Sequence, residues 1–202
     1  MANPNRTGFY PVGTLTGAPW TAKVRRFIAN TTTGNYCVGD LVMLDAIGKA
    51  NIIGGTLYAG AITNILGAVV GIEPVAKTTT SVQGGSLSLE KQYLSKGTAG
   101  TQYVRVCTDP TTIYEAVVGG TGTTAVSNIG ASVSILSLAG GTNTMAKVIS
   151  SMVLDAASIT TGTNIFQIVD FPVAPDNDLT AANARVHVVL NTSPYNRGGG
   201  AR

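Results

Sequence analysis

The feature that most constrains this chain is its punctuation. Short runs of β-branched and aromatic residues, several strictly alternating, are interrupted by clusters of Gly, Pro, Asn, Asp and Thr. No stretch sustains a 3.6-residue apolar period, and only Ala181-Ala182-Asn183-Ala184 hints at a helical turn. About ten short strands at spacings of roughly 8–12 residues predict an all-β body, either a jelly-roll-like β-sandwich or a small β-barrel.

The runs at 23–28, 36–44, 50–53 and 65–75 open the series. The clearest pair follows. Tyr103-Val104-Arg105-Val106-Cys107 and Ile113-Tyr114-Glu115-Ala116-Val117 both alternate, and Thr108-Asp109-Pro110-Thr111-Thr112 lies between them. Asp bonds to its own backbone and Pro presets φ, so the stretch predicts a hairpin. Further strands are expected within 127–139, around Ala131-Ser132-Val133-Ser134-Ile135, and at 150–155, 165–171 and 185–190. Pro172-Val173-Ala174-Pro175-Asp176-Asn177-Asp178 forms a stiff polar corner, while 77–85, 119–122 and 140–143 are Gly/Thr/Ser-rich loops.

Residues 1–20 carry Pro4, Pro11 and Pro19 with glycines at 8, 13 and 17. Proline removes a donor and glycine loosens the chain, which predicts an extended N-terminal arm. The β-rich body then spans 21–195, and its division into two β subdomains meeting near 119–126 stays open. Residues 196–202 form a flexible C-terminal tail.

Composition narrows the class. Only 11 % of the 202 residues are charged, against about 25 % in typical soluble domains. Gly, Thr and Ser together supply 64 residues (25, 27 and 12), yet hydrophobic residues still make up 44 %. Disorder pairs low hydrophobicity with high net charge, and the net charge here is +3. The first residues contain no apolar leader segment, so the chain is expected to be made and used without crossing a membrane by a standard signal. Cys37 and Cys107 are the only cysteines, and a buried, reduced pair is favoured over a disulfide because a core of this size needs no staple.

The first 36 residues hold Arg6, Lys23, Arg25 and Arg26 and no acid. Specific DNA binders make on the order of 6–10 phosphate contacts, and no aromatic platform accompanies these four cations. No specific nucleic acid is expected, and an acidic protein surface suits the segment better. For Arg25 and Arg26 two readings stand side by side: a solvated edge-strand face that discourages aggregation, and docking onto an acidic partner.

No constellation carries chemistry. His187 is the sole histidine, on the polar face of Arg185-Val186-His187-Val188-Val189, and no Gly-x-Ser-x-Gly elbow occurs. Two distant cysteines and one histidine make no zinc site. Asp176-Asn177-Asp178 has the start of a calcium loop without its sixth-position glycine or closing glutamate, so an Asx-type turn is expected. The Gly-Gly pairs lack the Gly-Lys-Ser/Thr of a phosphate cradle. The sequons at Asn5, Asn30 and Asn191 are chance matches in an Asn/Thr-rich chain. No enzyme activity, cofactor or metal is expected.

Several segments nevertheless appear together in order. They are Gly8-Phe9-Tyr10-Pro11-Val12 with Gly17-Ala18-Pro19-Trp20, and Val38-Gly39-Asp40-Leu41-Val42 with Ile65-Leu66-Gly67-Ala68-Val69-Val70-Gly71-Ile72-Glu73-Pro74. Tyr103-Val104-Arg105-Val106-Cys107-Thr108-Asp109-Pro110 runs on to Ile113-Tyr114-Glu115. Met152-Val153-Leu154-Asp155, Ala174-Pro175-Asp176-Asn177-Asp178 and Ala182-Asn183-Ala184-Arg185 close the set. Together these resemble a family of tailed-bacteriophage virion proteins encoded beside the major capsid protein, the head decoration or cement proteins. The resemblance covers most of the chain, and its motifs are structural rather than chemical.

It implies a non-enzymatic, all-β protein on the exterior of the icosahedral head, made in the bacterial host cytoplasm. Such a protein stabilises the expanded shell by bridging major capsid protein subunits, and self-associates as a dimer or trimer. The family pattern defines no functional residues, so the expected capsid-interface residues are the cations and aromatics of the acid-free stretch: Arg6, Phe9, Tyr10, Trp20, Lys23, Arg25 and Arg26. Two alternatives remain. A tail- or fibre-associated protein would show repeats, and none occurs. A carbohydrate-binding β-sandwich on the virion surface favours exposed aromatics, which are 6 % here, with Trp20 the single tryptophan.

Overall fold

A computed structural model of the chain describes residues 7–32, 34–53, 65–73, 93–95, 97, 101–136, 150–162 and 164–191. The expected loops at 77–85 and 140–143, and the tail at 196–202, lie outside the described residues. The strands are β1 (Tyr10–Thr14), β2 (Val24–Ile28), β3 (Tyr36–Cys37), β4 (Leu41–Leu44), β5 (Ala50–Ile52), β6 (Ile65–Glu73) and β7 (Tyr93–Leu94). They continue with β8 (Tyr103–Cys107), β9 (Thr112–Gly119), β10 (Ser132–Val133), β11 (Leu154–Asp155), β12 (Phe166–Asp170) and β13 (Arg185–Leu190). Among the described residues the only helical segments are three 3-10 turns. The fold is all-β.

Five strands form an antiparallel sheet in the order β2-β8-β6-β4-β5. It curls until its edges meet: Ala29, just past β2, bridges Ala50 of β5, and the Asn30 N–H donates to Ala50 O at 2.9 Å. Curling in this way closes a row of backbone groups that an open edge would leave unpaired. Inside lie Val42, Leu66, Val69, Ile72, Val104 and Val106, plugged by Tyr36 and Leu94 from the two-stranded β3–β7 ribbon. The Tyr36 hydroxyl sits 2.8 Å from Asn30 O and 2.9 Å from Ala50 O, donating at the seam. This half is a small barrel.

The other half is a sheet ordered β1-β9-β13-β12-β10, with β11 running parallel to the end of β9. Its inner face sets Tyr114, Ala116, Val118, Phe166, Ile168, Val186 and Val188 against Leu41, Ile65 and Ala68 on the barrel's outer wall. One cluster therefore joins the two halves, while the barrel keeps a second inside it. Sandwich and barrel, posed as alternatives by the sequence, are both present and packed together.

Three expectations are corrected. The hairpin over 103–117 is not one: β8 pairs with β2 and β6, whereas β9 pairs with β1 and β13. Both strands and the turn chemistry are as expected, since Asp109 Oδ1 accepts from the Thr111 N–H and hydroxyl at 2.8 and 2.7 Å. The turn, however, carries the chain from barrel to sheet. Gly67, at φ 143°, presses onto β8 so tightly that a Cβ there would lie 1.8 Å from Cys107 O, and the Tyr114 hydroxyl donates to that same carbonyl at 3.0 Å. The second correction follows from the first. The change of sheet falls at 108–111, not near 119–126, and one cluster packs the two sheets together.

The third concerns the arm. Phe9 is fully buried and β1 pairs with β9, so 8–14 belong to the body. Two glycine backbones make this crossing: a Cβ on Gly8 would meet Gly39 Cα at 3.3 Å and Ser150 Cβ at 2.9 Å. Gly8 N–H donates to Met152 O and Phe9 N–H to Gly39 O, each at 2.8 Å. The Pro and Gly that suggested looseness instead permit close packing. Residues 181–184 form turns rather than a helix, with Asn183 at φ 62°.

Candidate functional site

The expected interface residues separate in space. Arg6 lies outside the described residues. Phe9 stacks on Phe166 with ring centroids 5.0 Å apart and cannot touch a partner. Tyr10 is half-buried, its ring against Gly39 and its hydroxyl donating to Thr7 O at 3.0 Å, so it lids the glycine crossing. Trp20 is half-buried at the start of a 3-10 turn, Trp20–Lys23. Lys23, Arg25 and Arg26 remain exposed along the start of β2.

Of these, only Arg26 joins residues that the N-terminal cluster did not include; Arg25 alternates to the other face of β2, and Lys23 lies in the turn before it. Arg26 pairs directly with Arg105 across β2 and β8, and Glu73 pairs with Tyr103 across β6 and β8. Alternation puts Arg26, Ile28, Tyr103, Arg105 and Glu73 on the barrel's outer face, opposite the buried Val104 and Ile72. Nearer Cys107 and Ala68 the same face is buried against the other sheet. The strands thus run past the sandwich and present a polar end.

Like charges directly opposite each other on a strand pair repel. Glu73 resolves this: Arg26 Nε lies 2.7 Å from its Oε2 and Arg105 Nε 2.9 Å from its Oε1. The Arg26 guanidinium also stacks on Tyr103, 3.6 Å above the ring centroid. The two arginine side chains stay 56 % and 60 % exposed, whereas Glu73 is 19 % exposed. Past the Cys107 end of the same two strands, Lys23 Nζ approaches Asp109 Oδ2 at 3.4 Å. Burial raises the Asp109 pKa, but Thr111 and Lys23 more than offset it and hold the carboxyl below its ordinary value. The sequence did signal Arg105 and Tyr103, which stand at the outward positions of an alternating strand.

Other polar groups serve the backbone. Asp40 is buried, accepts the Cys37 N–H at 2.6 Å and a bond from Ser150, and burial pushes its carboxyl up to about 6. Burial, with Asp40 nearby, pushes the Cys37 thiol up to about 12. Cys37 and Cys107 are both buried and free. Asp178 makes the expected Asx turn, accepting the Thr180 N–H at 2.9 Å and hydroxyl at 2.7 Å, and Asp176 pairs with Arg185. His187 Nε2 lies 3.9 Å from Glu115 Oε2 on the outer side of its sheet. Among the described residues no group of three His, Cys, Asp or Glu is placed to hold a metal, and no helix is long and apolar enough to cross a membrane.

Comparison with known proteins finds no matching family model, no matching curated protein and no matching solved structure.

Proposed function

We propose that this chain is a structural protein of the phage virion. It binds the outer surface of the icosahedral head and stabilises the expanded shell by bridging neighbouring capsid subunits. The observation that carries this reading is the arginine-bearing outer face of the barrel, where Arg26 and Arg105 stand with Tyr103 and Ile28 on paired strands. Arg and Tyr are enriched in protein interfaces. Exposed ion pairs contribute at most about 1 kcal/mol each to folding, so the two arginine–Glu73 pairs on this face answer better to association than to stability.

The resemblance supports the same reading, and the structure gives its segments a physical role. Gly8 meets Gly39, Gly67 meets Cys107, and Asn177 joins Arg185 through the Arg185 N–H at 2.8 Å. Each contact joins two of the resembling segments. They preserve a shape, which is what a shell-binding protein must keep. Attachment then works from the rigid barrel face rather than from 8–14. Self-association about a local symmetry axis would let one oligomer contact several subunits, so the second attachment becomes intramolecular.

Cryo-electron microscopy of the virion tests the proposal. Density for this chain is expected outside the shell, and a location inside the head or in the tail would overturn it.

A further inference from the structure

We infer that Arg26 and Arg105 form a preset fork for a carboxylate on an acidic segment of a protein partner. The inference deepens the reading above by naming the contact and its chemistry. A guanidinium offers five N–H donors. Among the described residues each of these two reaches Glu73 through Nε alone, at 2.7 and 2.9 Å, leaving Nη1 and Nη2 of both for an incoming anion. Glu73 from one side and the Tyr103 ring beneath Arg26 hold the heads in place. An anion therefore meets donors whose rotamer freedom is already reduced, which lowers the entropy cost of binding.

Three observations select a protein carboxylate. The two guanidiniums and one carboxylate sum to a single positive charge, which one further carboxylate neutralises. Glu73 already shows that a planar carboxylate fits between these heads, consistent with the two-oxygen geometry that arginine favours. The Tyr103 ring is occupied by Arg26, so it is not a free platform for a nucleic-acid base. Ile28, paired with Tyr103 and 38 % exposed, adds an apolar contact beside the fork, suiting a segment in which an acid neighbours an aliphatic residue.

The test uses the full chain with two probes, undecorated expanded heads and a short poly-L-glutamate peptide, at low and moderate salt. Three proteins are compared: wild type, the double variant Arg26→Lys/Arg105→Lys, and Arg25→Gln. The double variant keeps the charge and loses the fork. Arg25→Gln loses one charge on the same strand, where alternation points to the other face.

Wild type is expected to bind both probes in a salt-dependent way. The double lysine variant should bind about tenfold more weakly or worse, and Arg25→Gln within about twofold of wild type. Thermal melts of all three establish that the variants are folded. Should the lysine variant bind as tightly as wild type, or Arg25→Gln fall as far, charge alone acts and the fork is refuted. Binding to heads without binding to polyglutamate also refutes the fork while the virion role stands. Binding to polyglutamate without binding to heads leaves the fork standing and overturns the virion role.

Discussion

Replacing Phe9 by alanine separates an arm from a core element most directly. The side chain is fully buried and lies in the cluster shared by both halves, stacked on Phe166 at 5.0 Å with 16° between the rings. Truncating a core phenylalanine costs about 3–5 kcal/mol, and losing a stacked ring partner accounts for about 0.5–1.5 kcal/mol beyond area burial alone. A chain of this size loses roughly 2–4 °C in Tm per kcal/mol, so the melt should fall by about 6–20 °C. The assay is urea unfolding followed by circular dichroism, with Val12→Thr as control. Val12, 47 % exposed on β1 three residues further on, carries an exposed, shape-conserving change that should stay within about 0.5 kcal/mol. A Phe9→Ala protein within about 1 kcal/mol of wild type would show that this segment lies on the body as an arm, as its Pro/Gly composition suggests.

Asp40 and Gly67 supply further tests. Folding raises the Asp40 pKa from 3.8 to about 6. Its ionisation therefore opposes folding: the stability is fully present below pH 3.8 and is lost as pH rises through 6. At 1.36 kcal/mol per pKa unit the loss is about 3 kcal/mol. Asp40→Asn keeps an acceptor for the Cys37 N–H, and its amide can donate to the Ser150 hydroxyl. The stability difference between variant and wild type should widen in the variant's favour by roughly 2–3 kcal/mol from pH 4 to pH 7 in urea titrations. A constant difference would remove Asp40 as the cause. At Gly67 any Cβ collides with Cys107 O, so Gly67→Ala should prevent folding into the native barrel, read as loss of soluble protein or of the cooperative melt. Gly48→Ala, at φ 78° with open space around it, should cost only about 1 kcal/mol.

Much of the strand content was legible because alternation is a local property. The run at 185–190 matches β13, β6 fills the described part of 65–75, β2 covers 23–28 but for its first residue, and β12 covers 165–171 but for one residue at each end. Pairing was not legible in the same way. Val104 and Val106 face the barrel interior while Tyr114 and Ala116 face the common core, and two adjacent alternating runs look identical whether they fold on each other or part company. The decisive residue is Gly67, far off in sequence, whose missing side chain admits the Cys107 carbonyl. Phe9 was misplaced for a related reason, since glycine marks both a loose chain and a close crossing. At the candidate face, Arg25 and Arg26 were visible as a basic pair, but Glu73 became meaningful only once β6 lay beside β8.

The scarcity of charge takes on a different meaning once each acid is located. Nine of the ten acids lie among the described residues, and every one has structural work. Asp40, Asp45, Asp109, Asp155, Asp170 and Asp178 accept backbone N–H groups at turns or caps. Glu73, Glu115 and Asp176 face arginines. A carboxylate bound to its own backbone is a poor handle for a partner, because pulling it away exposes the N–H groups it satisfies. Arg26 and Arg105 face no such penalty, since their outer nitrogens hold no backbone group. Acid substitutions should therefore register in stability and substitutions of these two arginines in association. Under the proposed role, that asymmetry makes the two arginines, rather than the net charge of +3, the contact an acidic partner would use.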